Sequence, residues 1–226
     1  MKRNCGDEAV RQGAVRQKTE PVLRSVRRTL ANPHIPVYHK ALVIQGIVLP
    51  TMLYGAEIDG STTRATKNRQ RAVNRALEMV AGRGVALKAL GKELHLPGVK
   101  AAVLKQQWRA VEELPKKRTV VAKLVKESRG RWAWRPRSLR EIKRAERKCG
   151  QKISTGKELM DAWNERELLR DKASASKWYR ENTSSGFGVS ELSVKFPELA
   201  RGWRNVLRII SGYLWTVPRL VRAKLI

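Results

Sequence analysis

The sequence is poor in the residues that most site chemistry requires. Its two cysteines, Cys5 and Cys149, lie far apart, with no second Cys or His at metal-ligand spacing. Neither a zinc centre nor a disulfide framework is supported, and an intracellular, reducing compartment, nuclear or cytoplasmic, is expected. The histidines, His34, His39 and His95, are scattered and neither cysteine lies beside one, so nucleophilic catalysis lacks its parts. Acids are scarce as well, with 20 Asp and Glu against 48 Lys and Arg. Polymerase chemistry needs carboxylates held together around two divalent metals, and the chain has no Asp-Asp pair. The nearest acidic cluster, Glu57 and Asp59 in GAEIDG, is expected to cap the following helix. No catalytic residue, metal ligand or cofactor is therefore assigned to this chain, and no small-molecule substrate is implied.

Long apolar runs are also missing. A bilayer span needs ~20 apolar residues, whereas the apolar stretch within 40–57, KALVIQGIVLPTMLYGAE, is shorter, is broken by Pro50 and is followed by Glu57 and Asp59. The N-terminal MKRNCGDEAVRQG lacks the apolar core of a secretory signal, so neither membrane insertion nor secretion is expected. Gly82-Arg83-Gly84 and Gly186-Phe187-Gly188 have neither the spacing nor the strand context of phosphate-binding loops and read as turns.

What is present is positive charge on a foldable chain. An apolar content of 42% suffices to bury a core, and a formal charge of +28 points to a polyanionic partner, with nucleic acid favoured. That charge is localised. Residues 61–92 hold eight Lys or Arg against Glu78 alone, and 116–152 hold fifteen against three, while 93–115 and 153–185 are balanced.

The periodicity is helical, with no convincing strand alternation. Val22, Leu23, Val26 and Leu30 predict a helix that starts near Thr19 and is interrupted at Pro21. The run from about Val37 is apolar on every side, which predicts a buried helix, with Gly46 allowing close backbone approach and Pro50 ending or kinking it. Ser61 or Thr62 caps the next helix, and Gly82 stops it. Leu104, Trp108, Val111 and Leu114 share a face of a helix over 100–114, ended by Pro115. Further helix is expected on either side of SRGRWAWRPR. Thr155 and Glu158 have capping-box spacing and open a helix predicted to continue through Leu159 and Trp163 to Trp178 and Tyr179. The stretch NTSSGFG is a loop, and Trp203, Val206, Leu207 and Ile210 mark a last amphipathic helix. Trp108, Trp163, Trp178 and Trp203 are assigned to core packing.

On the helix after Thr62, Val73, Ala76, Leu77 and Val80 share one face, and Arg64, Lys67, Arg71 and Arg75 share the opposite one. At ~1.5 Å per residue the cationic stripe is ~16 Å long, enough to follow several phosphates of one strand. Arg69 points nearer the apolar side. Such a stripe is either a solvated helix face or a phosphate contact, and a solvated face normally mixes signs. Residues Arg129, Arg131, Trp132, Trp134, Arg135 and Arg137 interleave rings with guanidinium groups, the chemistry of single-strand binding. The same tryptophans equally fit a loop anchored on the core. Pro115-Lys116-Lys117-Arg118 matches a nuclear import signal, a pattern common by chance in so basic a chain.

The order Lys, apolar run, Pro, Leu-Tyr-Gly-x-Glu in 40–57 resembles the thumb of non-LTR retrotransposon reverse transcriptases, just downstream of their polymerase active site. Three more stretches are similar in the same order: the basic helix ending at Gly82, LGKELHLPGVKAAVLKQQWRAVEEL, and RGWRNVLRIISGYLWTVPRLVRAKLI. The resemblance implies that fingers, palm and catalytic aspartates, with their Mg²⁺, belong upstream of Met1, and that a Cys and His zinc knuckle follows Ile226. The family is an RNA-directed DNA polymerase, and this chain alone is not expected to catalyse.

The expected architecture is mainly α: a helical thumb-like domain over 1–115, a basic linker with helix over 116–152, and a smaller helical domain over 153–226. The expected function is to hold template-primer, whether RNA, DNA or a hybrid, by its phosphate backbone. The alternative is a structural module that docks onto a separate polymerase core.

Overall fold

The stripe of Leu23, Val26 and Leu30 is buried on α1 (Cys5–Ala31), a helix that begins well before Thr19 and runs through Pro21. The proline lacks a donor toward the carbonyl of Gln17, and both residues lie on the exposed side, where water can replace the lost bond. The interruption expected at Pro21 therefore does not occur. The computed structural model describes residues 5–127, 130, 133–183 and 185–212, and among them the fold is mainly α, without strands.

The apolar run forms α2 (Val37–Val43), a π-helical turn (Ile44–Val48) and α3 (Leu49–Leu53). An α-helical Pro50 would drive its ring into the carbonyl four residues back. The wider π turn precedes it and leaves Pro50 in the first turn of α3, where a missing N–H costs nothing. Two expectations fail here. The run is not buried all round, since Leu42 and Ile47 are 44% and 46% exposed. Nor does Gly46 sit against anything, because a Cβ there would meet no atom within 4 Å.

Gly55, at φ 68°, starts the single turn α4 (Ala56–Asp59), and Gly60, at φ 97°, ends it. Thr62 Oγ1 then accepts the Ala65 N–H at 3.3 Å and caps α5 (Thr63–Ala81), which stops at Gly82. The cap is thus Thr62 and not the Glu57 and Asp59 pair. Asp59 instead reaches Arg69 at 2.5 Å, with the Arg69 side chain 5% exposed.

Beyond α6 (Leu87–Glu93) comes α7 (Val99–Glu113), which is buried on two sides. Val99 and Val103 join the larger core with Leu30, Ile44, Val48, Ala76, Val80 and Leu90. Leu104 and Val111 join a second core with α9 (Trp134–Cys149) and α10 (Gly156–Leu169), through Ile142, Leu159 and Trp163. A short α8 (Val120–Glu127) precedes α9, so helices flank the basic segment as its pattern suggested.

Thr155 and Glu158 form the capping arrangement at α10: Thr155 Oγ1 accepts from Glu158 N, and Glu158 Oε2 accepts from Ser154 N at 2.8 Å. The helix does not continue to Trp178. It stops at Leu169, and α11 (Ser174–Asn182) starts afresh because Asp171 accepts from Ala173 N and Ser176 Oγ. The chain closes with α12 (Val189–Lys195) and α13 (Ala200–Ile210). Val189, Leu207 and Ile210 are buried in the same core as α1 and α5, so packing runs across the positions 115 and 152. Among the described residues no helix is long and apolar enough to cross a membrane.

Candidate nucleic-acid interface

The segregation of α5 is real at the level of side chains. Val73, Ala76, Leu77 and Val80 are at most 3% exposed, while Arg64, Lys67, Arg71 and Arg75 are exposed. Arg69 is buried on the Asp59 carboxylate, on the apolar side where its spacing put it. Arg75 Nη1 pairs with Glu20 of α1 at 2.5 Å, both side chains remaining about half exposed. Lys67 and Arg71 have no ion-pair partner among the described residues, so their charge faces outward uncompensated.

The second group of candidates is divided. Arg129, Arg131 and Trp132 lie outside the described residues. Trp134 is half-buried against the second core, and its indole N–H donates to the Glu57 carbonyl at 2.9 Å. Arg137 donates to the Ile58 carbonyl. Trp134 and Arg137 thus fasten the start of α9 to the α4 turn. Arg135 is half-buried beside them. Of the tryptophans given to the core, Trp163 is buried, and Trp108 and Trp203 are half-buried against the two cores. Trp178 is not: it is 39% exposed and stacks on Phe187, with ring centroids 5.9 Å apart and planes 17° apart.

Lys67 and Arg71 also form one lip of a cleft of about 930 Å³ between α5, α6, the α6–α7 turn and α10. Leu77, Val85, Leu96 and Met160 supply apolar surface inside it. Three side-chain amides stand on its walls, each fixed by a structural hydrogen bond. Gln70 Oε1 accepts from Val99 N at 2.9 Å, and Gln70 Nε2 donates to Asn74 Oδ1 at 2.8 Å. Asn164 Oδ1 accepts from Gly98 N at 3.0 Å. Three acids of the cleft are engaged, Glu165 with Lys92 at 2.7 Å, Glu167 with Lys88 at 3.2 Å and Asp171 at the start of α11, while Asp161 of α10 lines it exposed. Lys100, over the Trp163 ring at 4.4 Å, is held below the usual lysine range by burial first and then by nearby Lys148.

Sequence reasoning missed this cleft because its walls come from distant helices. The one signal for it was Gln70 and Asn74, two amides one turn apart beside the cationic stripe.

A loop held by Glu93 closes one end, where Ser185 lines the cleft. Glu93 is buried and accepts from Phe187 N, Val189 N and Tyr179 Oη at 2.7–2.9 Å. Among the described residues, no three His, Cys, Asp or Glu side chains gather in a way that could hold a metal ion. Compared with family models, curated proteins and solved structures, the chain matches none.

Proposed function

We propose that this chain grips nucleic acid by its phosphate backbone, in the manner of a polymerase thumb, and leaves synthesis to another unit. One observation carries the reading: Lys67 and Arg71, with Arg64 on the same side, are exposed on a helix whose other face is sealed in the core. A row of like charges destabilises a helix unless counter-charge arrives, and phosphates spaced along a strand supply it. The resemblance of 40–57 to the thumb of non-LTR reverse transcriptases points the same way. Arg75 is the weaker contact, because Glu20 already neutralises it.

Fluorescence anisotropy of a labelled oligonucleotide with the nuclease-treated chain tests the reading. Three phosphate contacts weaken binding roughly 20–40-fold between about 50 and 200 mM salt. Absence of binding, or affinity indifferent to salt, contradicts it.

A second reading, docking onto a separate polymerase core, is favoured by the exposure of Leu42, Ile47 and Ile58 at 44%, 46% and 59%. Scattered exposed apolar residues are ordinary, but Leu42 and Ile47 belong to the run that carries the resemblance and Ile58 follows it directly. Gel filtration separates the readings: a docking module self-associates after nuclease treatment, whereas a phosphate grip stays monomeric until oligonucleotide is added.

A further inference from the structure

The cleft beside α5 has the dimensions of a ligand site, and its uncompensated cations sit on α5, with the carboxylate of Asp161 on α10. Its volume of about 930 Å³ falls in the range of pockets that enclose small organic groups. Its carboxylates at 165 and 167 are spent on Lys92 and Lys88, whereas Lys67 and Arg71 on the α5 lip are unpaired among the described residues. Below that lip lie the apolar side chains of Leu77, Val85, Leu96 and Met160. The oxygens of Asn74 and Asn164 are taken by Gln70 Nε2 and Gly98 N, so the amide nitrogens of both remain as donors. No hydrogen bond of either nitrogen is found among the described residues. A cationic edge, an apolar interior and free amide donors match three parts of one ligand: a phosphate, the face of a base, and the ring nitrogens and carbonyls at that base's edge.

We infer that this cleft receives one unstacked nucleotide of the strand whose phosphates lie on Lys67 and Arg71, with the base inside the cleft and Asn74 and Asn164 donating to its edge. The inference rests on the phosphate grip proposed above and adds a preference for single-stranded segments, because a paired base cannot leave its stack without cost. An acidic peptide would also meet the cationic lip, but its carboxylates would lose water against Leu77, Val85, Leu96 and Met160, a surface that the face of a base covers without that cost. The base is favoured for that reason.

A short oligodeoxyadenylate with 2-aminopurine at its centre tests the assignment on the unaltered chain. Withdrawal of the probe from its stack raises its emission on binding, while the same strand annealed to its complement binds more weakly and gives no rise. Met160→Trp and Leu87→Trp fill the cleft from two sides without touching the cationic lip. In either variant, if helical by circular dichroism, the rise is lost and affinity falls about 5-fold or more, with the salt slope unchanged. Salt-dependent binding with no change in emission overturns the nucleotide assignment and leaves the grip standing. Absence of salt-dependent binding overturns both. A poly-glutamate probe that binds the chain and is lost in the filled variants, with emission unchanged, gives the cleft to an acidic peptide and overturns the assignment too.

Discussion

The hydroxyl of Tyr179 donates to Glu93 Oε2 at 2.8 Å across 86 positions of sequence. Glu93 also takes the backbone N–H groups of Phe187 and Val189, so one buried carboxylate joins α6, α11 and the turn into α12. Burial, and then the facing carboxylate, hold the Tyr179 phenol protonated far above its usual range. A buried charge survives only where its lone pairs are met, and three donors meet this one.

Removal of one donor should therefore cost less than removal of the charge. Tyr179→Phe is expected to lose about 1–3 kcal/mol. Glu93→Gln sets an amide N–H against backbone donors and is expected to lose more. Urea denaturation of both variants checks the order, and equal losses would show that the carboxylate is not the organising group.

Lys40 predicts an unusual pH profile. It is 1% exposed, and burial, with Arg204 second, lowers its ammonium from 10.5 to about 8. Between those values the unfolded chain holds a proton that the folded chain has released, so stability rises with pH, by up to about 3 kcal/mol. Above pH 10 Tyr179 works in the opposite sense, because unfolded tyrosine ionises while the buried phenol does not. Thermal melts should show the rise between pH 8 and 10, and Lys40→Met should abolish it while stabilising the chain at pH 7. A profile flat in both proteins would contradict the burial of a charged Lys40.

The pair Arg69 and Asp59 closes the corner between α4 and α5. Asp59→Ala leaves a buried guanidinium without its counter-charge and is expected to cost about 3 kcal/mol. Arg69→Met in the same chain should restore much of that, because an apolar side chain needs no partner at the site. A double-mutant cycle measures the coupling, and purely additive losses would exclude it.

Much of α5 is legible in the sequence. The cap at Thr62, the stop at Gly82, the burial of Val73 and Leu77 and the inward turn of Arg69 all follow from spacing, because each depends on neighbours within a turn or two. The capping pair Thr155 and Glu158 was readable for the same reason. Features set by distant partners were not readable. Pro21 is carried through α1 because its side of the helix faces water, and Pro50 is accommodated by a π turn, neither of which composition reveals. Lys40 is buried by packing that its polar character argues against. Trp178 lies on the surface because Asp171 breaks the helix before it. The cleft escaped notice because Gln70, Lys100 and Asn164 meet only when α5, α7 and α10 are packed together.

The central claim is most directly tested by the salt dependence of oligonucleotide binding in Arg64→Gln/Lys67→Gln/Arg71→Gln, set beside the unaltered chain. If these three side chains each displace a counterion, the slope of log affinity against log salt becomes shallower by about 2–3. An unchanged slope with unchanged affinity would place the grip elsewhere and contradict the account.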